Sequence, residues 1–171
     1  CKAVWPHMVE QKYGRILMTT SSTGLYGNFG QTNYGAAKLA LVGFMQTLAL
    51  EGAKFDIRVN SLAPTAATRM TEGLMPEAVL AALQPQAVVP AMLVLVSEDA
   101  PTRTILCAGG GNVEAANITM TQGDWIGLDA DAPERLAAQL DKVRDRTGEM
   151  VPPNGSAQGA HEVAHATARL T

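Results

Sequence analysis

Three residues near the start of the chain carry side chains that could act together on an alcohol or a ketone: Ser21, Tyr34 and Lys38. Removing a proton from an alcohol while a hydride leaves its carbon requires a general base matched to the operating pH. A tyrosine phenol ordinarily has a pKa of about 10, and a neighbouring ammonium group stabilises the phenolate. A serine hydroxyl can hold the substrate oxygen by a hydrogen bond while charge develops on it. These residue types therefore predict oxidation of an alcohol or reduction of a ketone.

The tyrosine and the lysine must share one face of a helix for this chemistry. A helix is predicted over residues 33–51, with Thr32 or Asn33 as its cap and Gly52 as its stop. The tyrosine and the lysine lie four positions apart in this segment. They therefore project from the same side of the helix, about one turn apart.

Short apolar runs that end in turn residues predict strands at residues 15–20, 57–62 and 103–108. Helices are predicted at residues 76–84 and 85–97, after a loose segment at residues 65–75. Strands that alternate with helices indicate an α/β fold with a parallel sheet. Ser21 directly follows the first strand, at the edge where open α/β sheets hold their ligands.

The helix predicted over residues 33–51 is apolar almost all the way round. A helix of this kind is covered on more than one side. We expect the sheet to cover one side and a second subunit to cover the other, which predicts a homo-oligomer.

Composition excludes several classes of partner. A net charge of -3 gives no reason to expect binding to nucleic acid or to an anionic membrane. No apolar stretch reaches the roughly 18 residues that span a bilayer. Cys1 and Cys107 have neither the spacing of metal ligands nor that of a disulfide framework. These features favour a reducing, cytoplasmic setting and a small-molecule substrate.

The pattern around the three residues resembles the Ser…Tyr-x-x-x-Lys signature of short-chain dehydrogenases/reductases. Tyr34 follows Ser21 by thirteen positions, and Gly-Ala-Ala separates it from Lys38. The strand Arg-Val-Asn-Ser-Leu-Ala-Pro at residues 58–64, with Thr68 four positions past the proline, agrees with the family. The resemblance implies an α/β fold, the C-terminal portion of a Rossmann-like doubly wound parallel sheet, and a nicotinamide-dependent oxidoreductase.

The resemblance also implies the role of each residue. Tyr34 would be the general base, Lys38 its activator and a ligand of the nicotinamide ribose, and Ser21 the hydrogen-bond donor to the substrate oxygen. The cofactor would be NAD, with NADP left open. Thr65 stands where the family has glycine, so the backbone differs from the family pattern there. By the same resemblance, the residues that hold the nicotinamide are Tyr34, Lys38, Pro64, Ala66, Ala67 and Thr68.

Residues 13–16, 24–31 and 69–77 are similar to the (3R)-3-hydroxyacyl-CoA dehydrogenase modules of peroxisomal multifunctional β-oxidation enzymes and their bacterial relatives. This similarity implies oxidation of a 3-hydroxyacyl-CoA to the 3-oxoacyl thioester. Two alternatives stay open. One is a 3-oxoacyl-carrier-protein reductase or another ketoreductase of the same fold. The other is a catalytically silent fragment that associates with intact subunits.

Two domains are predicted: residues 1–111, the C-terminal half of a catalytic domain, and residues 112–171, a C-terminal extension. The family's glycine-rich phosphate loop is expected before the first residue, so the chain is expected to be a fragment. The extension is predicted to contain a β-like stretch at residues 117–126, a helix at residues 133–146 and a loosely ordered tail from Gly148.

A zinc-protease pattern, H-E-x-x-H, occurs at residues 161–165. Position 168 is alanine and position 171 is threonine, so the extended pattern with a third histidine fails. The chain has six residues after the second histidine, which leaves little room for a further ligand. We interpret the pattern as a chance match and assign no metal.

Overall fold

The computed structural model describes residues 1–69, 73 and 76–169. Its contacts divide the chain into two compact units, Cys1–Ala116 and Asn117–Thr171. The boundary lies five residues beyond the one expected from the sequence, because residues 112–116 form a strand that pairs within the first unit. Among the described residues, no helix is both long and apolar enough to cross a membrane.

Helices and strands alternate through most of the first unit. The helices are α1 (Trp5–Gln11), α2 (Ser22–Tyr26), α3 (Thr32–Gly52), α4 (Glu77–Ala82) and α5 (Val89–Val96), with 3-10 turns at Ala53–Phe55 and Pro85–Val88. The strands are β1 (Gly14–Thr19), β2 (Ile57–Pro64), β3 (Ile105–Gly109) and β4 (Asn112–Ala116).

The strands form one sheet in the order β1-β2-β3-β4. β1 pairs in parallel with β2, in a register that sets Thr19 opposite Leu62. β2 pairs in parallel with β3, and β4 returns antiparallel to β3. The carboxyl ends of β1, β2 and β3 therefore lie at one edge of the sheet, and the segments that follow these strands start there.

Helices cover both faces of the sheet. On β2, side chains alternate between the faces with the period of two that a strand imposes. Ile57 and Val59 pack against α3, and Leu62 packs against α5. The buried core on the α3 side consists of Ile16, Met18, Val42, Met45, Leu48, Ala49, Ile57, Val59 and Ile105. The core on the α5 side consists of Leu62, Ala91, Leu95 and Ala108.

This arrangement confirms the predicted α/β fold and its doubly wound parallel sheet. The predicted strands and the long helix are observed with boundaries within about two residues. The predicted cap was wrong, because Gln31 is the N-cap of α3 and its side chain makes no capping bond. The Gln31 side chain instead accepts a hydrogen bond from the Thr23 hydroxyl, at 2.9 Å.

Two elements of the first unit were not predicted. The segment Ser22–Tyr26, interpreted as a turn and loop, is helix α2 with the side chain of Ser21 as its cap. β4 follows the turn at Gly110 and Gly111 and occupies residues that were expected to belong to the C-terminal extension. Residues 70–72, 74 and 75 of the loose segment expected at residues 65–75 lie outside the described residues.

The second unit contains helices α6 (Ala132–Ala138), α7 (Leu140–Val143) and α8 (Ser156–Thr167). The helix predicted at residues 133–146 is divided at Gln139. The β-like stretch at residues 117–126 forms only an isolated bridge, between Met120 and Met150. The tail, for which the sequence indicated little order, contains α8. Its alanines favour a helix despite the neighbouring glycines and prolines.

Candidate active site

Lys38 and Tyr34 lie together on α3 beside the end of β1. The Lys38 Nζ atom lies 5.7 Å from the centroid of the Tyr34 ring. The same ammonium group donates a hydrogen bond of 2.9 Å to the Thr19 carbonyl, at the last residue of β1. Tyr34 is 43% exposed, so its phenol is open to a ligand. The Tyr34 ring and the Lys38 ammonium group are therefore neighbours on one side of α3.

Ser21 lies directly after β1 and caps α2. Its Oγ atom accepts a hydrogen bond of 3.2 Å from the Thr23 amide. A serine hydroxyl has one donor and two acceptor sites, so this capping bond leaves the O–H group able to donate to a ligand. Ser21 is half-buried.

Close packing between α2 and α3 holds Ser21 near the lysine. A Cβ atom added at Gly24 would lie 2.8 Å from Lys38 Cβ and 2.9 Å from the Leu39 amide nitrogen. Such distances are too short for ordinary contacts, so only glycine allows this approach. The role of Gly24 between two helices was not predicted from the sequence.

Thr20 is a further residue of the site that the sequence analysis missed. It is 1% exposed, and its amide donates a hydrogen bond of 2.8 Å to the Leu62 carbonyl. Its hydroxyl donates a hydrogen bond of 2.7 Å to the Lys38 carbonyl. Its position immediately before Ser21 was the only available signal, since threonine at a strand end is otherwise common.

The segment after β2 contains the other residues that the family resemblance suggested. The Thr65 amide donates to the Ala108 carbonyl at 2.8 Å, and a Cβ atom at Gly109 would lie 2.7 Å from the Thr65 carbonyl oxygen. The Ala67 amide donates to the Leu83 carbonyl at 2.6 Å. A cofactor that uses this amide would have to replace that bond.

A cleft of about 400 Å³ adjoins this segment. Ala67 and Thr68 line it together with Arg69 and residues of α4 and its C-terminal end. Pro64 is the last residue of β2. Ala66, Ala67 and Thr68 therefore follow β2 directly, at the same edge of the sheet as Ser21.

The residues at this edge fit a nicotinamide nucleotide by their chemistry. A lysine ammonium group suits ribose hydroxyls, and a threonine hydroxyl with nearby backbone groups suits a carboxamide. Ligands of open α/β sheets bind outside the carboxyl ends of the strands. This is the edge at which Lys38 Nζ meets the end of β1.

Asp56 and Cys107 of the first unit have shifted pKa values. Hydrogen bonding by Arg58 and Arg15 holds the pKa of Asp56 below its usual value. Asp56 immediately precedes β2, at the sheet edge opposite the candidate site. Burial raises the pKa of the half-buried Cys107 thiol, a hydrogen bond with Tyr26 opposes this, and the nearby Glu114 charge reinforces it.

The histidines of the H-E-x-x-H pattern do lie on one helix, α8. The rings of His161 and His165 are 4.4 Å apart, and His161 Nε2 is hydrogen-bonded to the Gln122 carbonyl at 2.9 Å. Within the part of the chain that the structure describes, there is no group of three or more histidine, cysteine or acidic residues that could hold a metal ion.

The known proteins that this chain resembles belong to one class of enzyme. The family model described as short chain dehydrogenase matches residues 1–78. A short-chain type dehydrogenase/reductase of Mycobacterium tuberculosis is 46% identical over 149 residues, covering 86% of this chain and 51% of the relative. A peroxisomal hydratase-dehydrogenase-epimerase of Neurospora crassa is 37% identical over 191 residues, covering 95% of this chain and 21% of the relative.

A solved structure extends the similarity to the second unit. The full-length peroxisomal multifunctional enzyme type 2 of Drosophila melanogaster matches 99% of this chain with a TM-score of 0.83 and 29% identity. The match covers 31% of that protein. The chain thus spans about half of the mycobacterial relative and smaller shares of the two peroxisomal proteins. The chain belongs to the short-chain dehydrogenase/reductase family and is an oxidoreductase by ancestry.

Proposed function

We propose that this chain forms part of a nicotinamide-dependent dehydrogenase that interconverts 3-hydroxyacyl and 3-oxoacyl thioesters, with coenzyme A as the carrier. The observation that carries the reaction type is the Lys38 ammonium group, 5.7 Å from the Tyr34 ring centroid and bonded to the end of β1. The substrate class is supported by the sequence similarity at residues 13–16 and 24–31 and by the peroxisomal relatives.

In the oxidation direction, the Tyr34 phenolate takes the proton from the 3-hydroxyl group of the substrate. Lys38 stabilises the negative charge of the phenolate, and its ammonium group costs little to position because the Thr19 carbonyl already holds it. Ser21 donates its O–H group to the substrate oxygen while the capping bond fixes the side chain. In the reverse direction, the Tyr34 phenol gives its proton to the oxygen of a 3-oxo group, whose carbon would take a hydride from the reduced nicotinamide.

The cofactor supplies a hydride acceptor at its nicotinamide ring. Lys38 would hold the nicotinamide ribose and Tyr34 would lie beside it, while Pro64, Ala66, Ala67 and Thr68 would hold the carboxamide end. The expectation of NAD over NADP rests on the family resemblance alone. Initial rates with each nucleotide decide between them.

The proposal is tested with the natural protein that carries this sequence and its Tyr34→Phe variant. Formation of NADH or NADPH is followed with (3R)- and (3S)-3-hydroxybutyryl-CoA. Loss of the general base should lower kcat by about 100- to 10,000-fold, because proton transfer contributes this much to such reactions. Tyr13→Phe is the matched control, since Tyr13 is similarly exposed (40%) and lies before β1 at the opposite end of the strand.

Equal activity of the Tyr34→Phe variant and the natural protein would contradict the assignment of the base. Activity on carrier-protein thioesters but not on coenzyme A thioesters would show that the carrier is wrong, while the proposed reaction would stand. An inactive but folded natural protein would favour the catalytically silent alternative.

We also propose that the exposed side of α3 associates with a second copy of the chain. Leu39, Phe44 and Leu50 are each more than 40% exposed on this helix. Burial of three large apolar side chains would favour association by several kcal/mol before entropic costs, at about 1.5–3 kcal/mol for each side chain. Sedimentation of the natural protein tests for a homo-oligomer.

A further inference from the structure

We propose that Thr20 is a positioning residue for Lys38: it fixes the turn of α3 that carries the lysine to the end of β1. This inference rests on the proposed function, because it deepens the role of the same lysine. It concerns a residue that does not itself meet the substrate.

The contacts of Thr20 reach both the sheet and the helix. Its amide donates to the Leu62 carbonyl of β2 at 2.8 Å, which ties its backbone to the sheet. Its hydroxyl donates to the Lys38 carbonyl at 2.7 Å. A carbonyl within a helix has a second lone pair beyond its helical bond, so the threonine uses a position that the helix leaves open.

Lys38 is consequently held at both ends by consecutive residues. Thr20 binds its backbone carbonyl, and the Thr19 carbonyl binds its ammonium group at 2.9 Å. The side chain of a lysine has four rotatable carbon-carbon bonds, so fixing its tip requires that its backbone be fixed as well. Gly24 contributes by letting α2 approach the Lys38 Cβ atom.

Burial separates this role from catalysis. Thr20 is 1% exposed, so its hydroxyl is closed to substrate and cofactor. A buried hydrogen bond to a helix in the middle of its length could serve stability alone. The test must therefore measure a property of Lys38 that a general loss of stability would not alter.

The variant Thr20→Val removes the hydroxyl and keeps the shape of the side chain, and Thr20→Ser restores the hydroxyl. The matched control is Ser61→Ala on β2. Ser61 is also fully buried, but in the described part of the structure its Oγ atom has no hydrogen-bond partner. The control thus removes a buried hydroxyl from the neighbouring strand without breaking a bond to α3.

In the natural protein carrying Thr20→Val, kcat/KM for 3-hydroxybutyryl-CoA should fall by about 3- to 10-fold, the effect of one hydrogen bond. The rising limb of the kcat pH profile should move to higher pH, because a less well-placed ammonium group stabilises the phenolate less. Thr20→Ser should restore both values, and Ser61→Ala should leave the profile in place.

A second readout does not depend on activity. The rate of reductive methylation of Lys38 is measured by mass spectrometry in the same variants, with exposed Lys54 as the internal reference. Thr20→Val should raise the rate at Lys38 several-fold relative to Lys54, and Thr20→Ser should return it to the natural value.

An unchanged methylation rate and pH profile in a folded Thr20→Val protein would overturn the positioning role. A natural protein without dehydrogenase activity, in which Thr20→Val still accelerates methylation, would refute the proposed function and support the inference. The two failures are therefore distinguishable.

Discussion

The two units of this chain have very different interiors. The first unit buries large side chains on both faces of a four-stranded sheet. Along the described residues 117–169, no residue is buried. The second unit instead surrounds a hollow of about 670 Å³ lined by residues that include Trp125, Leu136 and His161. The first unit therefore has a buried core, whereas the described residues of the second unit have at most a partly covered apolar surface.

This difference explains where precise chemistry can be built. Positioning a catalytic group within a fraction of an ångström requires neighbours that are themselves fixed by packing. Lys38 meets this requirement because the buried Thr20 and strand β1 hold it. The paired histidines of α8 do not, because α8 has no buried residue along the described part of its length.

The largest expected contrast comes from the same substitution in the two units. Leu95→Ala removes a side chain that is 0% exposed and packs between α5 and the sheet. We expect a loss of about 2–5 kcal/mol in the free energy of unfolding, from lost burial and the cavity left behind. Leu128→Ala removes a side chain that is 98% exposed, so we expect a change within about 0.5 kcal/mol. Urea denaturation measures both free energies of unfolding, and equal losses in the Leu95→Ala and Leu128→Ala variants would refute the contrast.

A smaller contrast lies within α3, between a packed and an open glycine. A Cβ atom at Gly52 would lie 2.7 Å from the Ile57 carbonyl oxygen, so Gly52→Ala should cost about 1–3 kcal/mol. Within one copy of the chain, nothing lies within 4 Å of a Cβ atom at Gly43, so Gly43→Ala should stabilise the unassociated protein by about 0.5–1 kcal/mol. Thermal unfolding measures both. Destabilisation by Gly43→Ala would indicate that another surface covers this side of α3.

The smallest expected effect concerns acid stability. Hydrogen bonding by Arg58 and Arg15 lowers the pKa of Asp56. The stability that the ionised Asp56 contributes is therefore present above its unfolded-state pKa and is lost as the pH falls through its folded-state pKa. In the second unit, Arg146 three residues away lowers the pKa of Glu149.

Asp56→Asn should flatten the fall in stability below about pH 4 more than Glu149→Gln does, because Asp56 joins the starts of two strands and the Glu149 pair is local. Urea midpoints measured across this pH range provide the comparison. A larger effect of Glu149→Gln would mean that the second unit depends more on its ion pairs than the first.

The parts predicted correctly are those whose signal is local or periodic. Helix α3 is long and uninterrupted, and β1 and β2 are apolar runs bounded by turn residues, so their patterns needed no further information. β4 was missed because all of its residues are half-buried or exposed, with nothing to distinguish them from a loop. It is a strand because β3 offers an edge, in a pairing that sets Glu114 opposite Cys107. Similarly, α2 is too short to show a period.

The order of residues alone was enough to predict the class of fold, the four-residue spacing of Tyr34 and Lys38 and the position of Ser21 after a strand. Each of these depends on neighbours in the chain, which the order of residues specifies directly. Three contacts depend instead on tertiary packing. The Thr20 hydroxyl binds the Lys38 carbonyl, Gly24 lets two helices meet, and the Lys38 ammonium group bonds to the Thr19 carbonyl. These contacts join residues that are 14 to 19 positions apart in the chain. They exist only once α3 packs on the sheet and brings its lysine to the end of β1.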